Sequence, residues 1–168
     1  MAIATPELIA AEFAIRQLQA RCADAVWRKD TSAFAQCFAP DGIWKVAGLT
    51  FQGQNAIAQG FDLLTAVNER ILMRFGTPII TLDGDRASAR TYTIEHVKRN
   101  EGDALSSIGI YYEKFARTGD DWLFAWRHFD FCYFGPPDLS ADLYAFVDRG
   151  PPPALPADDA ATAGLQAG

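Results

Sequence analysis

Histidine, cysteine and methionine are scarce in this chain: two, three and two residues among 168. The cysteines, Cys22, Cys37 and Cys132, are odd in number and widely spaced, without a CxxC pair or a Cys/His ligand spacing. A disulfide framework and a zinc site therefore have no support, and the three read as small buried hydrophobes of a reducing cytosol. Positive charge is also short, with 15 Lys and Arg against 21 Asp and Glu, a net charge of −6. That deficit argues against nucleic acid and anionic membranes as partners, since both require clustered Lys and Arg. No apolar run approaches the about 18 residues of a membrane span. The N-terminus lacks the basic start of a secretory leader. The expectation is a soluble, cytoplasmic protein. There is no Gly-rich phosphate cradle, the spacing Gly48–Gly53–Gly60 being too loose, and no internal repeat; neither metal nor cofactor is expected.

What is present suffices for one compact core, since about half of the residues are apolar. Residues 6–28 form a first helix, with Pro6 near its start and Leu8, Ile15, Leu18, Cys22 and Val26 mostly on one face. Asp30 and Ser32 can cap a short second helix, whose Phe34, Cys37 and Phe38 recur at helical spacing. Pro40–Asp41–Gly42 then turns into strand-like runs at 43–47 and 49–52. Residues 54–65 suit a third helix. Four longer strands follow, 71–82, 87–99, 105–117 and 122–134, joined by Asp83–Gly84, Asn100–Gly102 and Thr118–Asp120. Helices first and an antiparallel meander after them make an α+β arrangement. The domain is expected over 6–148, with one or two helical turns at 138–148 over the pocket mouth. The Pro- and Ala-rich stretch 149–168 reads as a flexible tail.

The run ADAVWRKDTSAFAQCFAPDGIW at 23–44, with GTPIITLDGDRASARTY at 76–92 and DDWLFAWRHFDFCYFGP at 120–136, resembles SnoaL-like domains of the nuclear transport factor 2-like superfamily. The similarity spans roughly residues 8–136. It implies a curved antiparallel sheet forming a cone-like pocket closed by N-terminal helices. It also implies dimers or trimers built on the outer sheet face, where Tyr92, Trp126 and His128 would suit burial. The scytalone dehydratase and hexachlorocyclohexane dehydrochlorinase group works through an Asp–His pair. The aspartate position corresponds to Trp27 and the histidine position to Arg74. A guanidinium stays protonated and is no ordinary base, so that mechanism does not transfer.

Strand alternation and family register suggest what replaces it. In 87–99, the set Ala87, Ala89, Thr91, Thr93, Glu95 and Val97 is small enough to line a cavity. Glu95 would then be a desolvated carboxyl able to accept or donate a proton; otherwise it is a strand-end glutamate in water. In the last strand, register points Arg127, Phe129, Phe131 and Tyr133 inward, leaving His128 and Asp130 outside. Arg74, flanked by Leu72, Met73 and Phe75, reads as buried, paired either with Glu95 or a substrate anion, or structurally with Glu69 or a neighbouring subunit. Trp27, Trp44 and Tyr111 supply flat apolar surface for a ring-bearing ligand, or are ordinary core aromatics. Asp24, one turn before Trp27, is either a carboxylate near the vacated position or a surface charge. His96 and His128 remain weaker candidates.

The resulting expectation is a cofactor-independent lyase acting on a small aromatic or polycyclic compound, with Arg74 and Glu95 catalytic. Its reaction would be a dehydration or a related elimination, formaldehyde-releasing ones included. A ketosteroid-isomerase-like enzyme, with Glu95 as base and Tyr111 as donor, and a non-catalytic binding or accessory protein are the alternatives.

Overall fold

The computed structural model describes residues 5–145, 150–151 and 155–156. Thr5 caps α1 (Pro6–Arg28), its hydroxyl accepting from Leu8 N at 3.2 Å, and Pro6 stands at the first helical position. Ala11, Ile15, Leu18, Cys22, Ala25 and Val26 form the buried stripe. Lys29 ends the helix in the left-handed region, at φ 53°. Asp30 then starts α2 (Thr31–Gln36) by accepting from Ala33 N at 2.9 Å; a carboxylate at that place satisfies a donor that the helix itself cannot. A third helix, α3 (Gln54–Thr65), presents Ile57, Gly60 and Phe61 to the interior.

The sheet has seven strands: β1 (Phe38–Val46), β2 (Leu49–Gln52), β3 (Asn68–Phe75), β4 (Ile79–Asp83), β5 (Arg86–Arg99), β6 (Leu105–Thr118) and β7 (Asp121–Gly135). Their order is β2-β1-β7-β6-β5-β3, with β4 also pairing with β5. The expected meander is there as β5, β6 and β7, all antiparallel. β1, however, joins β7 in parallel, so this curved sheet is mixed rather than wholly antiparallel. The expected strand 71–82 is two strands. Gly76–Thr77–Pro78 breaks it, and both pieces lie on the same edge of β5. β1 starts earlier than expected, at Phe38, with a register shift before Ile43 that absorbs Pro40–Asp41–Gly42. The described part of 138–148 holds no helix, and its residues 146–148 lie outside the described residues.

The helices cover the inner face of the sheet. There the core runs from Ile15, Leu18 and Cys22 of α1 through Phe34 and Phe38 to Phe115, Phe124 and Phe129. The outer face has a smaller core of its own: Ile110, Tyr112 and Trp126, with Ile43, Cys132 and Leu155 packed on it. Residues 126–131 of β7 are consequently buried in unbroken succession, which is the mark of a strand covered on both faces. Part of that cover is the chain's own C-terminal stretch. Arg90 Nη2 donates to Gly150 O at 2.7 Å, Leu155 meets the outer cluster, and Pro156 is buried. No helix among the described residues is long and apolar enough to cross a membrane.

Candidate active site

A cavity of about 430 Å³ lies between the helices and the inner face of the sheet. Val26 of α1, Phe34 of α2, and Phe61, Leu64 and Thr65 of α3 form its helical side. Trp44, Ile71, Met73, Val97, Tyr111, Phe129 and Phe131 form much of the sheet side, where Glu95 and Ser107 are set among them. Rings account for much of this wall. Phe34 stacks on Phe61 at 4.3 Å and meets Trp44 edge-on at 5.0 Å, while Tyr111 lies 4.7 Å from Phe129.

Glu95 reaches the cavity because β5 alternates as expected. Its pairing partners Met73 and Ser107 share its face. Burial raises its carboxyl to about 7, against the opposing pull of the Ser107 hydroxyl and the more distant Arg127 charge. Ser107 Oγ and Trp44 Nε1 are both buried without a partner at full hydrogen-bonding geometry. Ser107 is nevertheless near enough to Glu95, and Trp44 to Tyr111, for each to favour its neighbour's ionised form. Burial pushes the Tyr111 phenol well above its ordinary range, with the Arg127 charge opposing. Tyr111 is therefore a protonated donor at any physiological pH. Among the described residues, no group of three His, Cys, Asp or Glu side chains is arranged to hold a metal ion.

Behind Tyr111 lies a buried polar network that sequence reasoning missed. Glu113 accepts from Arg127 Nε at 3.0 Å, from Gln19 Nε2 at 2.7 Å and from Thr91 Oγ1 at 2.7 Å. Arg127 Nη1 donates to Cys22 Sγ at 3.3 Å, and the guanidinium carbon sits 3.7 Å from the Tyr111 ring centre and 4.2 Å from that of Phe124. Burial drives the Glu113 carboxyl upward, while Arg127, Thr91 and Gln19 pull it back. Glu113 falls on the inner parity of β6 with Ser107 and Tyr111, so the alternation used for Glu95 would have exposed it.

Several expected site residues stand elsewhere. Arg74 does not enter the cavity. It is exposed, opposite Ile94 on the outer face, and its carbonyl accepts from Thr93 Oγ1 at 2.8 Å. Its apolar neighbours Met73 and Phe75 belong to the other face of the strand, so they cannot bury it. No Arg74–Glu95 pair forms. Trp27 is 40% exposed, one step round α1 from the inward Val26, and its indole donates to Met73 O at 2.7 Å. Asp24 is exposed and paired with Arg28 at 2.8 Å. Arg127 is buried but is engaged by Glu113 and the rings behind the cavity wall rather than lining it.

Tyr133 is displaced by a bulge. Ile108 pairs with Tyr133 and Gly109 with Phe131, so Cys132 is the extra residue and the parity reverses beyond it. Phe134 lines the cavity instead, while Tyr133 donates its hydroxyl to Pro136 O at 2.7 Å. His96 is exposed on the outer face, its Nδ1 3.2 Å from Ser106 Oγ. His128 does contact Asp130, Nε2 to Oδ1 at 2.8 Å, stacked on Trp126, but on the face turned away from the cavity. Trp44, Glu95, Tyr111, Phe129 and Phe131 are the expected site residues that the fold brings together.

A curved sheet whose concave face is closed by N-terminal helices over an apolar, acid-bearing pocket defines the cone-like architecture of the nuclear transport factor 2-like superfamily. Within that class, residues 7–128 match the family model of the SnoaL-like domain, and the chain belongs to this family. Solved structures with the same fold include a Novosphingobium aromaticivorans protein provisionally assigned as a scytalone dehydratase. It is 12% identical, with a TM-score of 0.73 over 85% of this chain and 97% of that one. A second protein of that organism, provisionally assigned as an aromatic ring hydroxylase, is 25% identical, with a TM-score of 0.71 over 79% and 98%. The hexachlorocyclohexane dehydrochlorinase LinA-type3 of Novosphingobium barchaimii is 16% identical, with a TM-score of 0.71 over 83% and 97%. No protein of curated function matches the sequence at a significant level.

Proposed function

We propose that this cavity catalyses a cofactor-independent elimination from a small aromatic or polycyclic compound, with Glu95 moving the proton. The observation that carries the reading is one carboxyl, held near pKa 7, in an aromatic-walled cavity. Such a group is about half ionised at neutral pH and can serve as base and then as acid. Glu95 takes a proton from a substrate carbon, the electrons of that C–H bond form the new double bond, and the leaving group departs with its own bonding pair. Tyr111, Trp44 Nε1 and Ser107 are the donors available to an oxygen that gains charge in the process. Loss of water is the first expectation. In a related route, Glu95 takes the O–H proton of a hydroxymethyl group, its C–C bond breaks to release formaldehyde, and that bond's electrons form the new double bond as a neighbouring oxygen substituent departs with its bonding pair.

Arg74, exposed on the outer face, has no part in this scheme. The same carboxyl-and-phenol pairing also supports a ketosteroid-isomerase-like reading, in which the proton returns to another carbon and nothing leaves. Should the protein self-associate as its family resemblance implies, the exposed outer-face strip of Ile79, Tyr92 and Ile94 is the candidate surface.

The test is a turnover screen of aromatic alcohols and halides, with products followed by mass spectrometry in deuterated buffer. Glu95→Gln is expected to lower the rate found for the parent by about 100-fold or more, with the fold intact by circular dichroism. An unchanged rate rejects Glu95 as the proton carrier. Deuterium uptake into an enone without loss of a group selects isomerisation, and ligand binding with neither outcome selects a non-catalytic binder.

A further inference from the structure

We propose that Arg99 is the anion-recognising residue at the cavity mouth, so that the ligand is amphipathic: an apolar ring body carrying a carboxylate at its outer end. This deepens the reading of the cavity as a ligand site but does not depend on the reaction assigned to Glu95. Arg99 lines the same cavity as Glu95 and is paired across the sheet with Asn68, another lining residue. Glu95, Val97 and Arg99 alternate along one face of β5, so acid and cation stand four residues, or about 13 Å of strand, apart. Between them the wall is apolar, with Val97 and Ile71 both buried.

The neighbouring cation is already satisfied, since Lys98 pairs with Glu69 at 2.9 Å. Arg99 has neither an ion pair nor a side-chain hydrogen bond among the described residues. Arg99 is exposed while also lining the cavity, which places it at the opening. Three large apolar side chains are exposed yet line the same cavity: Leu49 at 40%, Leu63 at 63% and Val67 at 57%. A ligand longer than the interior would cover such side chains on its way to the guanidinium. The two charges also fix direction. An acid end pushed inward would meet the Glu95 carboxyl, whereas the same end at the mouth meets an unopposed cation. The uncharged, reacting end therefore points to Glu95, Ser107 and Tyr111.

Binding of 4-(2-naphthyl)butanoate and of its methyl ester, followed by tryptophan fluorescence at low salt, tests the assignment. The parent is expected to bind the acid about fivefold more tightly than the ester, the scale of one solvent-exposed ion pair. Arg99→Ala is expected to abolish that preference while leaving ester affinity unchanged, Arg99→Lys to keep part of it, and added salt to shrink it. Equal binding of acid and ester by the parent, or a preference that survives Arg99→Ala, overturns the assignment. If neither probe binds, the cavity reading falls with it. Acid preference without turnover of any compound removes only the elimination, and turnover without acid preference removes only the role of Arg99.

Discussion

Glu95 and Glu113 occupy neighbouring strands of one inner face, and their surroundings divide their roles. Glu113 is held by a guanidinium, an amide and a hydroxyl. Removing its charge would strand Arg127 in the core, which makes it a structural group. Glu95 has only the Ser107 hydroxyl favouring its ionised form at close range. Burial raises its pKa from 4.5 to about 7, so its neutral form favours folding and its ionised form opposes it. That contribution is fully present below about pH 4.5 and is lost as pH rises through about 7. Each pKa unit is worth about 1.4 kcal/mol, so the loss approaches roughly 3 kcal/mol. Glu95→Gln, which cannot ionise, is expected to match the parent in urea unfolding near pH 4 and to exceed it by about 2–3 kcal/mol near pH 8. A stability difference that does not change with pH contradicts the placement of the Glu95 carboxyl in the cavity wall.

Among the elements, those governed by local rules were legible in the sequence. The bounds of α1, the Asp30 cap and the inward set of β5 follow from periodicity and capping alone. Three features were not. Gly76–Pro78 reads as part of one strand until β4 is seen to share an edge with β3. The parallel pairing of β1 with β7 joins segments about 80 residues apart, which no local pattern encodes. The bulge at Cys132 exchanges Tyr133 for Phe134 in the cavity wall, and nothing in the FDFCYFG run announces it. Arg74 differs from these three, because in a strand its apolar neighbours lie on the opposite face and leave it exposed. Gly109 shows how closely the wall is fitted. A methyl there would stand 2.4 Å from both Asp130 O and the Phe129 ring. Gly109→Ala is therefore expected to cost about 1–3 kcal/mol in urea unfolding and to weaken naphthyl-probe binding by moving Phe129. Wild-type values for both would show that β6 and β7 are farther apart at this point.

At the scale of the whole molecule, the sheet is covered on both sides by different parts of the chain. The helices cover the concave side. Gly150 and Leu155 contribute to the cover of the other, where Ile110, Tyr112 and Trp126 are buried. Removal of residues 150–168 is expected to expose part of that apolar cluster, lowering the melting temperature by about 2–4 °C per kcal/mol lost. Concentration-dependent association in sedimentation velocity should appear or increase, while naphthyl-probe binding should persist. Loss of probe binding in the shortened chain would mean that the two faces are energetically one.

Leu155 follows every strand in the sequence, yet it packs on Tyr112 and Trp126, about 43 and 29 residues before it. The back of the cone is therefore sealed by a contact that no strand pairing supplies, and a substitution at Leu155 would reach the sheet without touching any strand.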